Sequence, residues 1–330
     1  MAEGDAGGWP GVVHREGRTL MRLPNAPEIT GQGPRAKGSG SVFHNPAMAG
    51  SRTRSVLLLR YAIEAGLLGD GAIYALDGLS ATGLRARRWL NELPPDLVER
   101  MRVTIVDLDP SALAWAKGSH EEFPPAHGHG QINPVGGDLR SVVLESGRHW
   151  VDIDPYGSPV PFIDTAIQSL ARSSVIEVSA TDTAALTGSS RRPLLRRYGA
   201  RVRTDRLAHD SGLRVLLATV ARVAARHDRA IEPLLSVWDS HHLRVSTRVI
   251  RSVEAANRVE DGLGWRVHAP TAEEVGASMA SGLHHGASLE QLPMNCLLPL
   301  NYPLDQSDSR FSGPLWVGAM GEASAMSSMT

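Results

Sequence analysis

A regular alternation of short β-type runs with helical stretches constrains this chain more than any other feature. The β-type runs stand at residues 72–76, 103–106, 150–153, 175–178 and 234–238, and helical patterns at 84–93, 111–117 and 162–171 separate most of them. A strand followed by a helix returns the chain to the same end of a sheet, so successive strands run parallel and the helices cover its faces. The expected fold is α/β, with a doubly wound, mostly parallel sheet. A longer helix at 212–227 precedes the 234–238 run, and residues 243–250 read as one more strand able to pair antiparallel. Ahead of the first run, residues 55–68 fit a helix ended by Gly69-Asp70-Gly71. Residues 1–40 are rich in Gly and Pro and read as an N-terminal arm, with a hairpin over 12–23 closing at Glu16-Gly17. The main domain then occupies 41–251. Beyond 252 the periodicity weakens, and 252–330 is expected to be a small C-terminal domain.

The 330 residues, 42% of them hydrophobic, rule out disorder over the whole chain. A net charge of −1 gives no global positive field, so an anionic partner must be met by a local patch. The single Cys296 excludes an intrachain disulfide framework and a four-Cys zinc site, which suits a reducing cytoplasm. No run has the roughly 18 apolar residues of a membrane span, and Met1 to Pro10 lacks a signal peptide's basic and apolar segments. No membrane partner is expected, and a monomer is favoured while the oligomeric state stays open.

Open α/β sheets bind ligands at the carboxyl ends of their strands, so the residues there carry the information. The first β run leads into Asp77-Gly78-Leu79-Ser80-Ala81-Thr82-Gly83 and then straight into a helix. Gly78 and Gly83 have P-loop spacing, but Leu84 and Arg85 stand where Lys and Ser/Thr would grip phosphate and magnesium. Asp77 would also repel a pyrophosphate, whereas it suits a cationic or zwitterionic ligand. The next strand ends at Asp107, placed to accept ribose hydroxyls. A third ends near Asp138, after Gly136-Gly137, where an adenine edge can be read. Three carboxylates at consecutive strand ends with a small-residue loop describe an S-adenosylmethionine site.

The 150–153 run enters Asp154-Pro155-Tyr156-Gly157-Ser158-Pro159, a turn stiffened by two prolines. A nucleobase amine is a poor nucleophile because its lone pair is delocalised into the ring. The Asp154 carboxylate and the Pro155 carbonyl can accept its two N–H bonds, drive the nitrogen toward a tetrahedral shape, and aim the lone pair at a methyl sulfonium. Tyr156 can stack on the base, a contact worth roughly 1 to 3 kcal/mol. Asp154 can take the proton after alkylation.

Together with this loop, several segments resemble the tRNA (guanine-26 N2)-dimethyltransferase family, in an archaeal-like short form. They are Val42-Phe43-His44-Asn45-Pro46-x-Met48, the Asp77 to Gly83 loop with Arg85, Ala180-Thr181-Asp182, His209-Asp210-x-Gly212-x-Arg214, and Gly313-Pro314-Leu315-Trp316-x-Gly318. The resemblance implies a Rossmann-like S-adenosylmethionine-dependent methyltransferase that dimethylates the exocyclic N2 of guanine 26 in tRNA. It also implies that Arg52, Arg85, Asp107, Asp138 and Leu139 contact the methyl donor, and that Asp154 and Tyr156 handle the guanine. This chain has Ser51-Arg52-Thr53 where the family usually has Asn-Arg-Asp, and Tyr156 where it usually has Phe. The family also usually continues into a larger C-terminal domain, so the chain reads as a minimal member or an incomplete one.

Between residues 191 and 206 stand seven arginines, Arg191, Arg192, Arg196, Arg197, Arg201, Arg203 and Arg206, against one acid, Asp205. Such a strip can meet several RNA phosphates. The histidines His120, His127, His129, His241-His242 and His284-His285 lack partners at fixed ligand spacing, so no metal is expected. Two other readings fit the residues: amino-methylation of DNA, served equally by an Asp-Pro-aromatic loop, and a tRNA-binding module without turnover.

Overall fold

The computed structural model describes residues 11–24, 42–284, 291–305 and 307–329. Met1 to Pro10, residues 25–40 of the expected arm, and His285 lie outside the described residues. Strands β1 (Val12–Glu16) and β2 (Thr19–Leu23) form the expected hairpin, with Glu16 opposite Thr19. Strands β3 (Ile73–Gly78), β4 (Met101–Asp107), β5 (Ile132–Gly136), β6 (Arg148–Ile153), β7 (Leu170–Ala180), β8 (Arg229–Asp239) and β9 (His242–Arg251) form a seven-stranded sheet in the order β5-β4-β3-β6-β7-β9-β8. β3 lies parallel to β4 and β6, β4 lies parallel to β5, and β8 and β9 pair antiparallel.

By backbone contacts the chain divides into two compact units. The first holds residues 1–154, 168–177 and 324–330, and the second 155–167 and 178–323. In the first, Ile73 and Ala75 on one face of β3 and Leu76 on the other are fully buried. Burial on both faces is what a parallel strand flanked by helices requires. Helix Leu84–Glu92 buries Leu84, Ala86, Trp89 and Leu90, and Trp89 meets Trp150 of β6 edge to face at 6.3 Å. The Trp89 indole donates to Ser55 Oγ at 3.1 Å, and Ser55 donates to Glu177 at 2.5 Å, so these polar groups are paired inside the core. Helix Pro110–Glu122 begins at the Asp109 side chain, which accepts from Ser111 N, and has Pro110 at its first position.

In the second unit, helix Ala208–Ala225 buries Leu213, Val215, Leu216, Leu217 and Val220 and packs on β8 and β9. The described part of the weakly periodic C-terminal stretch carries a second sheet there. Strands β10 (Leu263–His268), β11 (Asn295–Pro299) and β12 (Phe311–Trp316) form an antiparallel sheet in the order β11-β10-β12, around Val267, Val275, Cys296 and Leu298. No helix among the described residues is long and apolar enough to cross a membrane.

Candidate active site

The parallel register sets Asp77 of β3 directly beside Asp152 of β6, one residue short of where β3 ends. Both are buried, at 3% and 0% exposure. Burial, and then the neighbouring Asp152 carboxylate, push the Asp77 pKa well above the usual carboxylate range, while Arg85 opposes them. Arg85, on the first turn of helix Leu84–Glu92 and 6% exposed, places Nε 3.3 Å from Asp152 Oδ2. Its Nη2 donates to Asp154 Oδ2 at 2.5 Å. One guanidinium thus ties the buried Asp152 to the Asp154 carboxylate at the mouth of β6. Asp77 also accepts the Ala86 amide at 3.1 Å, which fixes the start of the same helix.

The loop from Gly78 to Gly83 is held from β4. The Asp107 carboxylate accepts the Ala81 amide at 2.8 Å and the Asp109 amide at 2.9 Å, and the Ser80 amide donates to the Val106 carbonyl at 2.9 Å. A carboxylate has about four lone-pair sites, so Asp107 keeps capacity for two hydroxyl donors. Leu79 and Ala81 adopt the left-handed region, at φ 60° and 46°. Gly78 is required by close approach, since a Cβ there would meet Leu139 Cδ2 at 2.7 Å and the Asp152 carbonyl at 2.9 Å. Leu139, 2% exposed, thus packs over the glycine at the end of β3. Asp138 caps helix Leu139–Val142 by accepting Arg140 N at 2.9 Å, and pairs with the Arg140 side chain at 2.5 Å. That side chain holds the Asp138 pKa down to about 2.

Arg52 is 8% exposed and forms a two-point ion pair with Glu16 of β1, at 2.7 and 2.5 Å, while Arg88 reaches the same carboxylate at 3.0 Å. Thr53, standing where the family pattern has Asp, accepts Arg88 Nη2 at 2.9 Å. His14, Glu16 and His44 are grouped closely enough to share an ion. Two guanidiniums already occupy the only carboxylate of that group, an arrangement that repels a cation.

The remainder of the turn lies in the second unit. Pro155 is buried and Tyr156 is 56% exposed. The Gly157 amide donates to Thr181 Oγ1 at 2.6 Å, and the Thr181 amide returns a bond to the Gly157 carbonyl at 2.9 Å. Ser158 Oγ and the buried Tyr198 hydroxyl are 2.9 Å apart; Tyr198 donates to Asp182 at 2.8 Å, and Arg197 donates to the same carboxylate at 2.9 Å. Burial and the Asp182 charge push the Tyr198 pKa far up, so the phenol stays a neutral donor.

The arginine strip divides in two. Arg197 serves this network, Arg203 lies 3.6 Å from Asp205, and the Arg201 backbone bridges Gly313. Arg191, Arg192, Arg196 and Arg206 are exposed and have no ion partner among the described residues. Sequence reasoning missed Asp152 and the Tyr198 network. The signal for Asp152 was available: it is a charge inside an apolar run, two residues before the Asp154 turn.

The sheet order, with acidic residues at the carboxyl ends of its parallel strands, defines a Rossmann-like methyltransferase fold. Residues 18–330 match the family model of N2,N2-dimethylguanosine tRNA methyltransferases, and the chain belongs to that family. It is 35% identical over 253 residues to the tRNA (guanine(26)-N(2))-dimethyltransferase of Pyrobaculum calidifontis, covering 74% of this chain and 64% of that protein. It is 32% identical over 321 residues to the protein of the same name from Pyrobaculum neutrophilum, covering 96% of this chain and 77% of that protein. The solved structure of Trm1 from Pyrococcus horikoshii with S-adenosyl-L-methionine is similar with a TM-score of 0.75 at 26% identity, covering 96% of this chain and 76% of that one. The chain therefore spans between about two thirds and three quarters of the length of these relatives.

Proposed function

We propose that this chain is an S-adenosylmethionine-dependent methyltransferase that dimethylates the exocyclic N2 of guanine 26 in tRNA, in the cytoplasm. Family membership supports the reaction class. The single observation that carries the mechanism is the Arg85 clamp on Asp154 at the carboxyl end of β6.

The residues at the strand ends fit a methyl donor that is zwitterionic and carries a ribose. Asp77 is an acid rather than a phosphate-gripping cation, Gly78 leaves no side chain over the strand end, and Asp107 has capacity for two hydroxyls. When bound, that donor supplies an electrophilic methyl group on a sulfonium. Asp154, with its oxygen fixed by Arg85, accepts one guanine N–H and orients the amine; the Pro155 carbonyl accepts the other. Drawing on both N–H bonds localises the lone pair on nitrogen and points it at the methyl. As the N–C bond forms, the sulfur–methyl bond would break with its electron pair left on sulfur as a neutral thioether; the ammonium-like nitrogen is then strongly acidic, and its proton passes to Asp154 and on to water. A second cycle uses the N–H that remains. Tyr156, exposed beside the turn, supplies a stacking face, and the exposed Arg191, Arg192, Arg196 and Arg206 hold RNA phosphates.

The test is mass spectrometry of nucleosides from unmodified tRNA and, in parallel, DNA, after incubation with protein and methyl donor. N2-methylated and N2,N2-dimethylated guanosine from position 26 are expected. Asp154→Asn keeps the shape and one acceptor, so tRNA and donor binding should stay near parental values. Its single-turnover rate should fall on the order of a hundredfold or more, because a charge aligned with the developing positive nitrogen is lost. Methylation at the parental rate would remove this loop from the chemistry, and modified DNA with unmodified tRNA would overturn the substrate.

A further inference from the structure

At the amino-terminal ends of β4, β5 and β6, remote along the strands from Asp107 and Asp154, the first unit contains a groove of about 670 Å³. The methyl-transfer reading uses none of it. Tyr74, Arg102, Thr104, His129, Asn133 and Arg148 are among its lining residues. Arg148 is 4% exposed. Its Nη1 donates to Thr104 Oγ1 at 3.1 Å, its Nε has no partner, and it forms no salt bridge among the described residues. Burial pushes its pKa below the usual arginine value, and the Glu145 carboxylate only partly opposes this.

An arginine stays charged at any working pH, and a charge withdrawn from water without a counter-ion is strongly unfavourable. Arg52, Arg85 and Arg88, buried as deeply, each meet a carboxylate at 2.5 to 3.0 Å. Arg87 also lacks one among the described residues, but it lines no part of the groove and donates to the Phe123 carbonyl. Arg148 is thus a buried, under-paired cation at the wall of a polar groove. Around it the groove presents the exposed Arg102 and the side chain of Asn133. The same lining holds two acids: Glu99 lies 3.2 Å from His129, and the exposed Glu145 acts on Arg148 without forming an ion pair with it among the described residues.

We infer that this groove binds a phosphate group, with Arg148 as the anchor and Arg102 at the rim. A free phosphate fills only a small part of 670 Å³, so the group arrives on a larger molecule. Tyr74, 42% exposed and backed by the stacked ring of His149 at 5.9 Å, offers that molecule an aromatic face. The two sources of such a group are the backbone of an RNA strand and a free phosphate ester. The site stands independently of the methyl-transfer reading.

Calorimetric titration of the full chain with inorganic phosphate at constant ionic strength should show saturable binding. Arg148→Met should weaken it at least tenfold, whereas alanine at the exposed Arg60, paired with Glu64, should leave this binding in place. In phosphate-free buffer Arg148→Met should melt at or above the parental temperature, since it removes an unpaired buried charge. Should the Met variant fail to fold, Arg148→Lys keeps the charge but loses the planar fork, and should bind phosphate several-fold more weakly. Competition by tRNA, with a salt dependence of tRNA binding reduced by about one log–log unit in Arg148→Met, identifies RNA as the source. Lost phosphate binding with an unchanged salt dependence identifies a free ester. No saturable phosphate binding by the parent, or parental affinity in the Arg148 variants, overturns the site. Tested this way, failure of the groove leaves guanosine methylation intact, so the two readings fail separately.

Discussion

Arginine does opposite work in two regions of this chain. At the carboxyl end of β6, a single arginine of 6% exposure serves two carboxylates, one of them fully buried. Along residues 191–206, four arginines stand exposed with no ion partner among the described residues. In the first region desolvation makes every ångström count and fixes the geometry; in the second, solvent and salt screen the charges, so they attract at range without positioning. Position is what methyl transfer needs, and attraction is what a long polyanion needs.

The largest effect should come from breaking the buried region. Arg85→Met leaves Asp152 and Asp154 without their shared cation, a change that typically destabilises by about 3 to 5 kcal/mol. Adding Asp152→Asn should recover part of the loss. Chemical denaturation of the single and double variants measures both, and a loss below about 1 kcal/mol would mean that Arg85 does not hold the site together.

Asp107→Asn should come next. It keeps one acceptor for the loop amides but removes the charge proposed to meet a ribose, so methyl-donor affinity should drop about tenfold. An unchanged affinity in calorimetry would take Asp107 out of the donor site.

A titration sharpens the same contrast. Because the folded-state pKa of Asp77 is raised, its proton stabilises the fold below the unfolded value, and that contribution is lost as pH rises through the folded value, about 8. Stability measured from about pH 4 to pH 8 should therefore decline through this group, and Asp77→Asn should flatten the decline. Equal slopes would show that Asp77 is ionised throughout.

The smallest effect, and the most salt-sensitive, belongs to the exposed region. Alanine at Arg191, Arg192 and Arg196 should weaken tRNA binding and reduce its log–log salt slope by up to about one unit per lost phosphate contact, with methyl-donor affinity untouched. Arg197→Ala should behave differently, because its partner is Asp182: turnover should fall more than binding. A parental slope in the triple variant would place the RNA elsewhere.

What could be read in the sequence followed from local pattern. Every β-type run became a strand, and Asp77, Asp107 and Asp154 lie at strand ends because burial on both faces gives parallel strands an unmistakable apolar signature. β5 was hard to see because Asn133 and Pro134 interrupt it; it is the edge strand, where a missing N–H is tolerated. The helix read at 55–68 begins at Ala49, since Gly50 and Ser51 look like breakers until packing buries Ser51 and Arg52. The antiparallel sheet of β10, β11 and β12 escaped notice because its strands contain Gly264 and Gly313-Pro314 and owe their order to long-range pairing. Arg85 offered no local clue to its partners, which lie 67 and 69 positions away and meet it only through the register of β3 and β6.

Two residues without the licence of glycine, Leu79 and Ala81, hold left-handed backbone in the loop that joins β3 to its helix. Each such residue typically stores about 1 to 3 kcal/mol of strain. A chain under selection for heat resistance alone would relax here, by accepting glycine at position 79 or 81 and so easing the native backbone. The same exchange would widen the loop's range of shapes before ligand arrives, and every binding event would then begin with an ordering step. This loop is therefore a place where durability and speed pull against each other, and a screen for thermostable variants that ignores turnover would be drawn to it.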